Sequence, residues 1–550
     1  MTRFLPKRLD FWFFAKIVIF SLFGFFLIYP FVNMFIRGFT STDGTFSLAY
    51  FQRFAEYKYY YQTLFRSLSV AVSTTFFAML VGMPMAYAMS RYNLIGKRVI
   101  NIMIIMSLMS PPFIGAYSWI LLLGRSGVIT KFFVGLGINM PSIYGYLGII
   151  LVFTLKLFPY IYLYVSGALG SIDSSLEEAA ENLGSNKLRR LMTITFPVIL
   201  PTILSGAIMV FMSALADFGT PMLIGEGYKV LPVLVYEEYM SEIGGNAGMA
   251  SALSMIVIMV SMFVLLMQKR FVAKRKYTMS ALRPPQIIKL RVIPKIVLSC
   301  LAFIVSLVAF LPQIVVVYTS FVKTSGPVFV AGYSLDSYRT IFYRLARNIT
   351  NTFTFSTIAM FFIIIIGILV AYLMVRRPSK SSTVLDVFVM FPYVVPSAIM
   401  GISLLLAFNR RPLLLAGTSF IMIVAYAIRK MPYTVRSASA ILQQIDPSIE
   451  DASINLGVSP IKTFFTVTSR LMLPGIISGA ILSWISTINE LGSSVMLYTG
   501  RTATISVAIY TEVIRNSFGT AAALASILTV ATILSFIIFA LISKGKVSVI

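Results

Sequence analysis

The chain has no histidine, one cysteine and few charges for its length. Without histidine it lacks the commonest transition-metal ligand and the usual switch of physiological pH. A single thiol, Cys300, excludes an intrachain disulfide and leaves the redox compartment open. Charged residues make up 12% of 550, against about a quarter in a soluble domain. Acids are scarcest: 19 Asp and Glu stand against 45 Lys and Arg, a formal net charge of +26. No G-x-x-x-x-G-K-[ST] phosphate loop occurs, so any ATP-driven step needs a separate engine. No intramembrane constellation of nucleophile and base, or His-containing metal site, is visible, which leaves an enzymatic role a distant third reading.

What remains is apolar. Hydrophobic residues are 58% of the chain and mean hydropathy is +0.88. Runs long enough to cross a bilayer, roughly 20 residues each, recur from end to end. "FFIIIIGILVAYLMV" at 361–375 does not alternate as a barrel strand does. The fold class is therefore an all-α polytopic membrane protein, with expected spans at about 13–36, 62–90, 98–123, 143–168, 200–224 and 248–267. A second set is expected at about 294–320, 351–375, 383–408, 415–440, 474–497 and 521–543. "TRFLPKR", "SRYNLIGKR", "QKRFVAKRK", "VRRPSK" and "SKGK" are basic and separated by even numbers of spans. Lys and Arg accumulate on cytoplasmic loops, so these stretches and both termini are placed in the cytoplasm. The net charge thus reads as topology, with no nucleic-acid partner. The N-terminal stretch has no small-residue cleavage site and reads as a retained first span.

"EEAAENLG" (177–184) interrupts this apolar chain, and "EDASINLG" returns at 450–457. A shift of 273 aligns Pro159–Gly219 with 432–492 without a gap, with roughly a third of positions identical. "GMPMAYAMSR" (82–91) matches "GILVAYLMVR" (367–376) more weakly, at a slightly different shift. The chain reads as two parallel six-span repeats, 1–267 and 294–550, joined by a basic linker at 268–293 that contains Pro284 and Pro285. Each polar stretch has helix chemistry. Asp173 with Ser174, and Asp446, Pro447 and Ser448, supply caps and first turns. Gly184 and Gly457 fit a left-handed helix stop, and Pro201 and Pro474 the entrance to the next span.

These residues carry a specific resemblance. "EAAENLGSNKLRRLMTITFP" resembles the EAA motif of bacterial ABC importer permeases at Glu178, Ala179, Ala180, Gly184, Ile194 and Pro197. The second copy has Asp451, Ala452, Ser453, Gly457 and Val467, with Glu450 one residue earlier, and departs at Arg470. Over nearly the whole chain the pattern is similar to the fused, two-copy permeases of the ferric-iron type. The resemblance implies a type I importer fold in the bacterial inner membrane, with coupling loops at about 170–200 and 443–473. In them Glu177, Glu178, Ala179, Ala180, Gly184, Glu450, Asp451, Ala452, Ser453 and Gly457 would meet two ATP-binding subunits. It implies an external solute-binding protein above, ATP and Mg held by the partner ATPase, and no cofactor or catalysis in this chain. Ferric iron is the first choice of cargo; thiamine, phosphonates and sugar phosphates are carried by similar permeases. An ATP-independent secondary transporter or channel is the rival class.

Ionisable residues inside spans are costly and count as functional candidates. The repeat register pairs Asp217 with Glu490, each two residues before a glycine, with Asn489 beside the second. Carboxylate oxygens suit a hard cation, so the three are candidates for the translocation path. Equally, each acid serves as a cap or pairs with a base. Lys156, Arg429 and Lys430 either join the path or snorkel. The run "EYKYYYQ" (56–62) reads as interfacial tyrosines.

Overall fold

The computed structural model describes residues 11–41, 43–110, 112–241, 245–273 and 287–542. The first repeat runs α1 (Phe11–Gly38), α2 (Lys58–Arg91), α3 (Lys97–Met109), α4 (Pro112–Leu123) and α5 (Tyr146–Gly170). It continues with the short α6 (Ser174–Asn182), then α7 (Lys187–Ala216), α8 (Gly219–Ile224), α9 (Leu231–Met240) and α10 (Ala247–Ala273). The second repeat has α11 (Val292–Thr319), a hairpin of β1 (Val322–Ser325) and β2 (Val328–Tyr333), α12 (Asp336–Val375), α13 (Lys380–Val394) and α14 (Ser397–Phe408). A second hairpin, β3 (Asn409–Arg410) with β4 (Leu413–Leu414), leads to α15 (Ser419–Gln444) and the short α16 (Ser448–Asn455). The chain then follows α17 (Pro460–Ile488), α18 (Ser494–Leu497), α19 (Ile505–Ile514) and α20 (Phe518–Ile542).

Among the described residues, ten helices are long and apolar enough to cross a membrane, eleven if α13 and α14 count as one broken span. The sequence led to twelve. The shortfall is α15, which has the length but carries Arg429, Lys430 and Arg436. Two expected spans break at proline. Ser110 and Val395, each followed by proline, take extended backbone, since the ring disfavours helical geometry in the residue before it. In the second repeat the axis turns by 110° there.

Two further expectations are corrected. Pro201 and Pro474 lie inside helices rather than at span entrances, because the helix already starts at Lys187 and Pro460 and passes through a π turn at 191–195 and 464–468. The fifth spans stop earlier than expected, at Ala216 and Ile488, and resume as the separate α8 and α18. Arg470 leaves this path unchanged: the π turn falls at the same register in both copies.

Close packing falls into two compact units that do not follow chain order. One holds Leu48–Ser337 with Asn516–Thr529; the other holds the described residues of Met1–Ser47, Tyr338–Arg515 and Val530–Ser548. Thus α1 packs with second-repeat helices, its Trp12 stacked on Tyr372 at 4.4 Å. Conversely α11 joins the first repeat: Ser118 Oγ donates to the Pro312 carbonyl at 2.9 Å. Of the linker, 274–286 lies outside the described residues, as do 1–10 and 543–550 with their basic loops. Ile288 donates its backbone N–H to the Arg91 carbonyl at 2.8 Å. In each unit glycine permits close helix crossing. A Cβ on Gly82 would meet Ile161 Cβ at 2.7 Å, and one on Gly479 would meet Thr434 Cα at 2.6 Å.

Candidate functional site

The two short helices are built alike. Asp173 Oδ1 accepts the Ser175 N–H at 2.9 Å, and Asp446 Oδ1 accepts that of Ser448 at 2.8 Å. Each helix ends before a left-handed glycine, Gly184 (φ 77°) and Gly457 (φ 86°), with nothing near enough to obstruct a side chain, so backbone conformation alone selects glycine. Asn186 and Ser459 then cap the next turn.

The acids of the motif point in different directions. Glu177 faces inward, accepting from Arg91 Nη2 at 2.5 Å and from Thr195 Oγ1 at 2.9 Å. Glu450, its counterpart, accepts from Arg376 Nε at 2.8 Å and from Tyr372 at 3.1 Å. Arg376 also donates to the Ile445 carbonyl at 2.6 Å. Arg91 and Arg376 stand at the ends of α2 and α12, so each short helix is pinned to its own long span. Glu178 and Asp451 are exposed, as are Ala179 and Ala452; Ala180 is buried and Ser453 half-buried, its hydroxyl 3.0 Å from that of Thr463. Beside them three apolar pairs are exposed at matched positions: Leu176 and Ile449, Leu188 and Ile461, and Leu183 and Leu456. The last pair is 88% and 85% exposed. Exposed apolar residues thus recur in register around both short helices, with an exposed acid among them.

The opposite ends of the long spans are pinned too, by Tyr60, which the sequence places in a run of interfacial tyrosines, and by Glu238, Arg344 and Glu512, which it does not single out. Tyr60 donates to Glu238 Oε1 at 2.9 Å, and Arg344 forks onto both oxygens of buried Glu512 at 3.0 Å. Tyr60 is thus a buried donor, while Tyr57 and Tyr59 of the same run are exposed. The signal was present: "YEE" at 236–238 and "YTE" at 510–512 match at a shift of 274, one residue off the main register.

Asp217 and Glu490 occupy the breaks after the fifth spans. Asp217 Oδ1 accepts the Thr220 N–H at 2.9 Å and Oδ2 meets Lys156 Nζ at 3.2 Å. Glu490 accepts the Ser493 N–H at 3.2 Å and pairs with Lys430 Nζ at 2.5 Å and Arg429 Nε at 3.4 Å. Each acid therefore caps the following short helix and neutralises a cation of the fourth span. Arg429 has a second task, donating to the Val395 carbonyl at 2.7 Å, at the 110° bend. Gly492 lets this corner close, since a Cβ there would meet Ser397 Oγ at 2.0 Å. Asn489 is buried; its amide donates to the Ile485 carbonyl at 2.9 Å, and its Oδ1 has no hydrogen-bond partner. Among the described residues no three His, Cys, Asp or Glu side chains are grouped to hold a metal ion.

The duplicated, pinned short helix between long apolar spans is matched by a known family. The profile of the binding-protein-dependent transport system inner membrane component matches residues 78–277 and 363–547, once per repeat. The chain belongs to that family. The ferric transport system permease protein FbpB of Actinobacillus pleuropneumoniae is 28% identical over 535 residues, covering 94% of this chain and 76% of that one. The putative ferric transport system permease protein FbpB 1 of Haemophilus influenzae is 27% identical over 497 residues, covering 87% and 76%. The putative 2-aminoethylphosphonate transport system permease protein PhnV of Salmonella typhi is 27% identical over 226 residues, covering 41% of this chain and 86% of that one. Among solved structures, an inward-facing MetNI methionine ABC transporter chain aligns with a TM-score of 0.32 at 19% identity, covering 39% of this chain and 95% of that one.

Proposed function

We propose that this chain is a two-repeat permease of an importer whose energy comes from two separate ATP-binding subunits. One docks on α6 and the other on α16, and an external solute-binding protein delivers the cargo at the far side. The observation that carries this reading is the matched pair of short helices. Each presents an exposed acid and apolar residues outward while an Arg–Glu pair pins it to a long span. A subunit that moves such a helix moves that span with it. α2 is 34 residues, about 51 Å, so displacement at one end is delivered across the apolar layer. Closure of the ATPase pair would then switch the path between inward- and outward-open forms. The placement of α6 and α16 in the cytoplasm, with α15 as the twelfth span, belongs to the same proposal.

Ferric iron is the cargo this reading favours. Relatives named for ferric transport align along nearly the whole chain, whereas the phosphonate relative aligns over 41% of it. Asp217 and Glu490 are each held by a cation of this chain, so they contribute as gates and frame rather than as free ligands; choice of the ion falls to the external protein. The test is purification from native membranes in mild detergent, with mass spectrometry of the accompanying chains and analysis of the metal on the recovered binding protein. An ATPase at two copies per permease, with ferric iron on the binding protein, is the expected result. A chain that purifies alone and moves solute in vesicles without ATP would establish the secondary-transporter class instead.

A further inference from the structure

We infer that the arginine-rich end of the second repeat, opposite α16, is a docking surface for an acidic face of the external solute-binding protein, an inference that rests on the importer reading above. Arg344, Arg347, Arg410, Arg411, Arg501 and Arg515 all lie within one compact unit and are exposed. No lysine stands among them.

Hydrogen bonds and ion pairs tie them to one end of the unit. α12 runs from Arg344 at its start to Arg376 beyond its last turn, where α16 is pinned, so Arg344 and α16 sit at opposite ends. Arg344 and Arg515 share the buried carboxylate of Glu512, at 3.0 and 3.4 Å. One turn beyond Arg347, Asn351 Nδ2 donates to the carbonyls of Arg501 and Ala503 at 3.0 and 2.9 Å. The next loop follows: Thr499 Oγ1 donates to the Gly417 carbonyl at 3.2 Å, and Ala416 to that of Phe408 at 3.0 Å, which seats the hairpin bearing Arg410 and Arg411. A single acid thus anchors two of the arginines, and Arg347, Arg410, Arg411 and Arg501 form no ion pair among the described residues.

By the proposed topology this end faces outward, where Lys and Arg are normally scarce. The corresponding end of the first repeat follows a different rule. There acids stand among the cations: Arg125 meets Glu226 at 2.9 Å and Lys229 meets Glu237 at 2.6 Å, while Lys58 and Arg66, the latter over the Tyr228 ring, form no ion pair among the described residues. Lipid surrounds both repeats and gives no reason to load one of them. A soluble partner with one acidic face does. Guanidinium forks match carboxylates in paired hydrogen bonds, which explains arginine in place of lysine.

The test uses the full complex in lipid nanodiscs, with the binding protein recovered alongside it as the probe, and reads ATP hydrolysis against binding-protein concentration. Replacing Arg347, Arg410, Arg411 and Arg501 together with glutamine leaves the Glu512 pair untouched. The half-saturating concentration is expected to rise by about tenfold and to lose most of its salt dependence, with the maximal rate unchanged. The same four positions as lysine keep the charge and bring half-saturation back to within about threefold of the parent. An unaltered half-saturation and salt dependence in the glutamine set would overturn the proposal, as would failure of the lysine set to restore it. A deficit seen with phosphatidylglycerol in the disc but not with phosphatidylcholine alone would assign the arginines to lipid headgroups and overturn it as well. If the binding protein fails to stimulate even the parent complex, the importer reading falls first.

Discussion

The two repeats solve one problem with different charge. At the break after the fifth span the first repeat sets one aspartate against one lysine, Asp217 and Lys156. The second sets one glutamate against an arginine and a lysine, and all three are more than four-fifths buried by side chain. The extra cation has a visible cause: the 110° bend before α14 leaves carbonyls that helix geometry no longer satisfies, and Arg429 donates to Val395. The second repeat therefore uses charge to hold its 110° corner. The two acids that the sequence offers as path candidates each sit at a helix break, accepting a backbone N–H and paired with basic residues of the fourth span.

The comparison breaks most visibly at Glu490. Glu490→Gln removes the carboxylate from two buried cations and is expected to cost about 3–5 kcal/mol, read as a lowered thermal midpoint in detergent and loss of assembled protein. Asp217→Asn keeps an oxygen for the Thr220 N–H and strands one cation. It is expected to cost about 1–3 kcal/mol. Equal losses at the two sites would mean that Arg429 does not depend on Glu490.

A smaller difference separates the pins. Glu450 is more deeply buried than Glu177 (side chains 11% and 26% exposed) and also meets Tyr372. Double-mutant cycles are expected to give coupling of about 0.5–3 kcal/mol for both pairs, larger for Arg376 with Glu450 than for Arg91 with Glu177. The reverse order would show that the second copy, despite its altered motif, is the looser one.

The smallest effect lies at the caps. The carboxyl of Asp446 is held below the usual carboxylate range, chiefly by the Ser448 backbone N–H and then by the Ser448 hydroxyl. A depressed folded-state value means that this support is present above about pH 4 and is lost as pH falls through the folded value. Asp446→Asn should lower the thermal midpoint slightly at neutral pH and flatten its fall below about pH 4, where the parent loses the same support.

Much of this was legible in the sequence because the duplication repeats whole elements in register. Asp173 and Asp446 as caps, Gly184 and Gly457 as stops, and Asp217 as the counterpart of Glu490 all follow from the shift of 273. Which glutamate turns inward did not follow, since Glu177 and Glu178 are chemically the same. The signal lay in spacing: Ser174, Glu177 and Ala180 share one helical face, and Ser174 and Ala180 are buried. The pins at the far ends of the long spans were hidden by the one-residue change of register between 219 and 231. The exchange of α1 and α11 between units left no local trace, because an apolar helix face does not specify which apolar neighbour covers it.

The central claim is that α6 and α16 are the points where an ATPase drives this chain. It is tested most directly by measuring uptake and ATP hydrolysis together in proteoliposomes of the full complex carrying Glu178→Ala with Asp451→Ala. Both residues are exposed, so folding and hydrolysis should be retained while uptake per ATP falls by about tenfold or more. Undiminished uptake at an unchanged ratio would contradict the account.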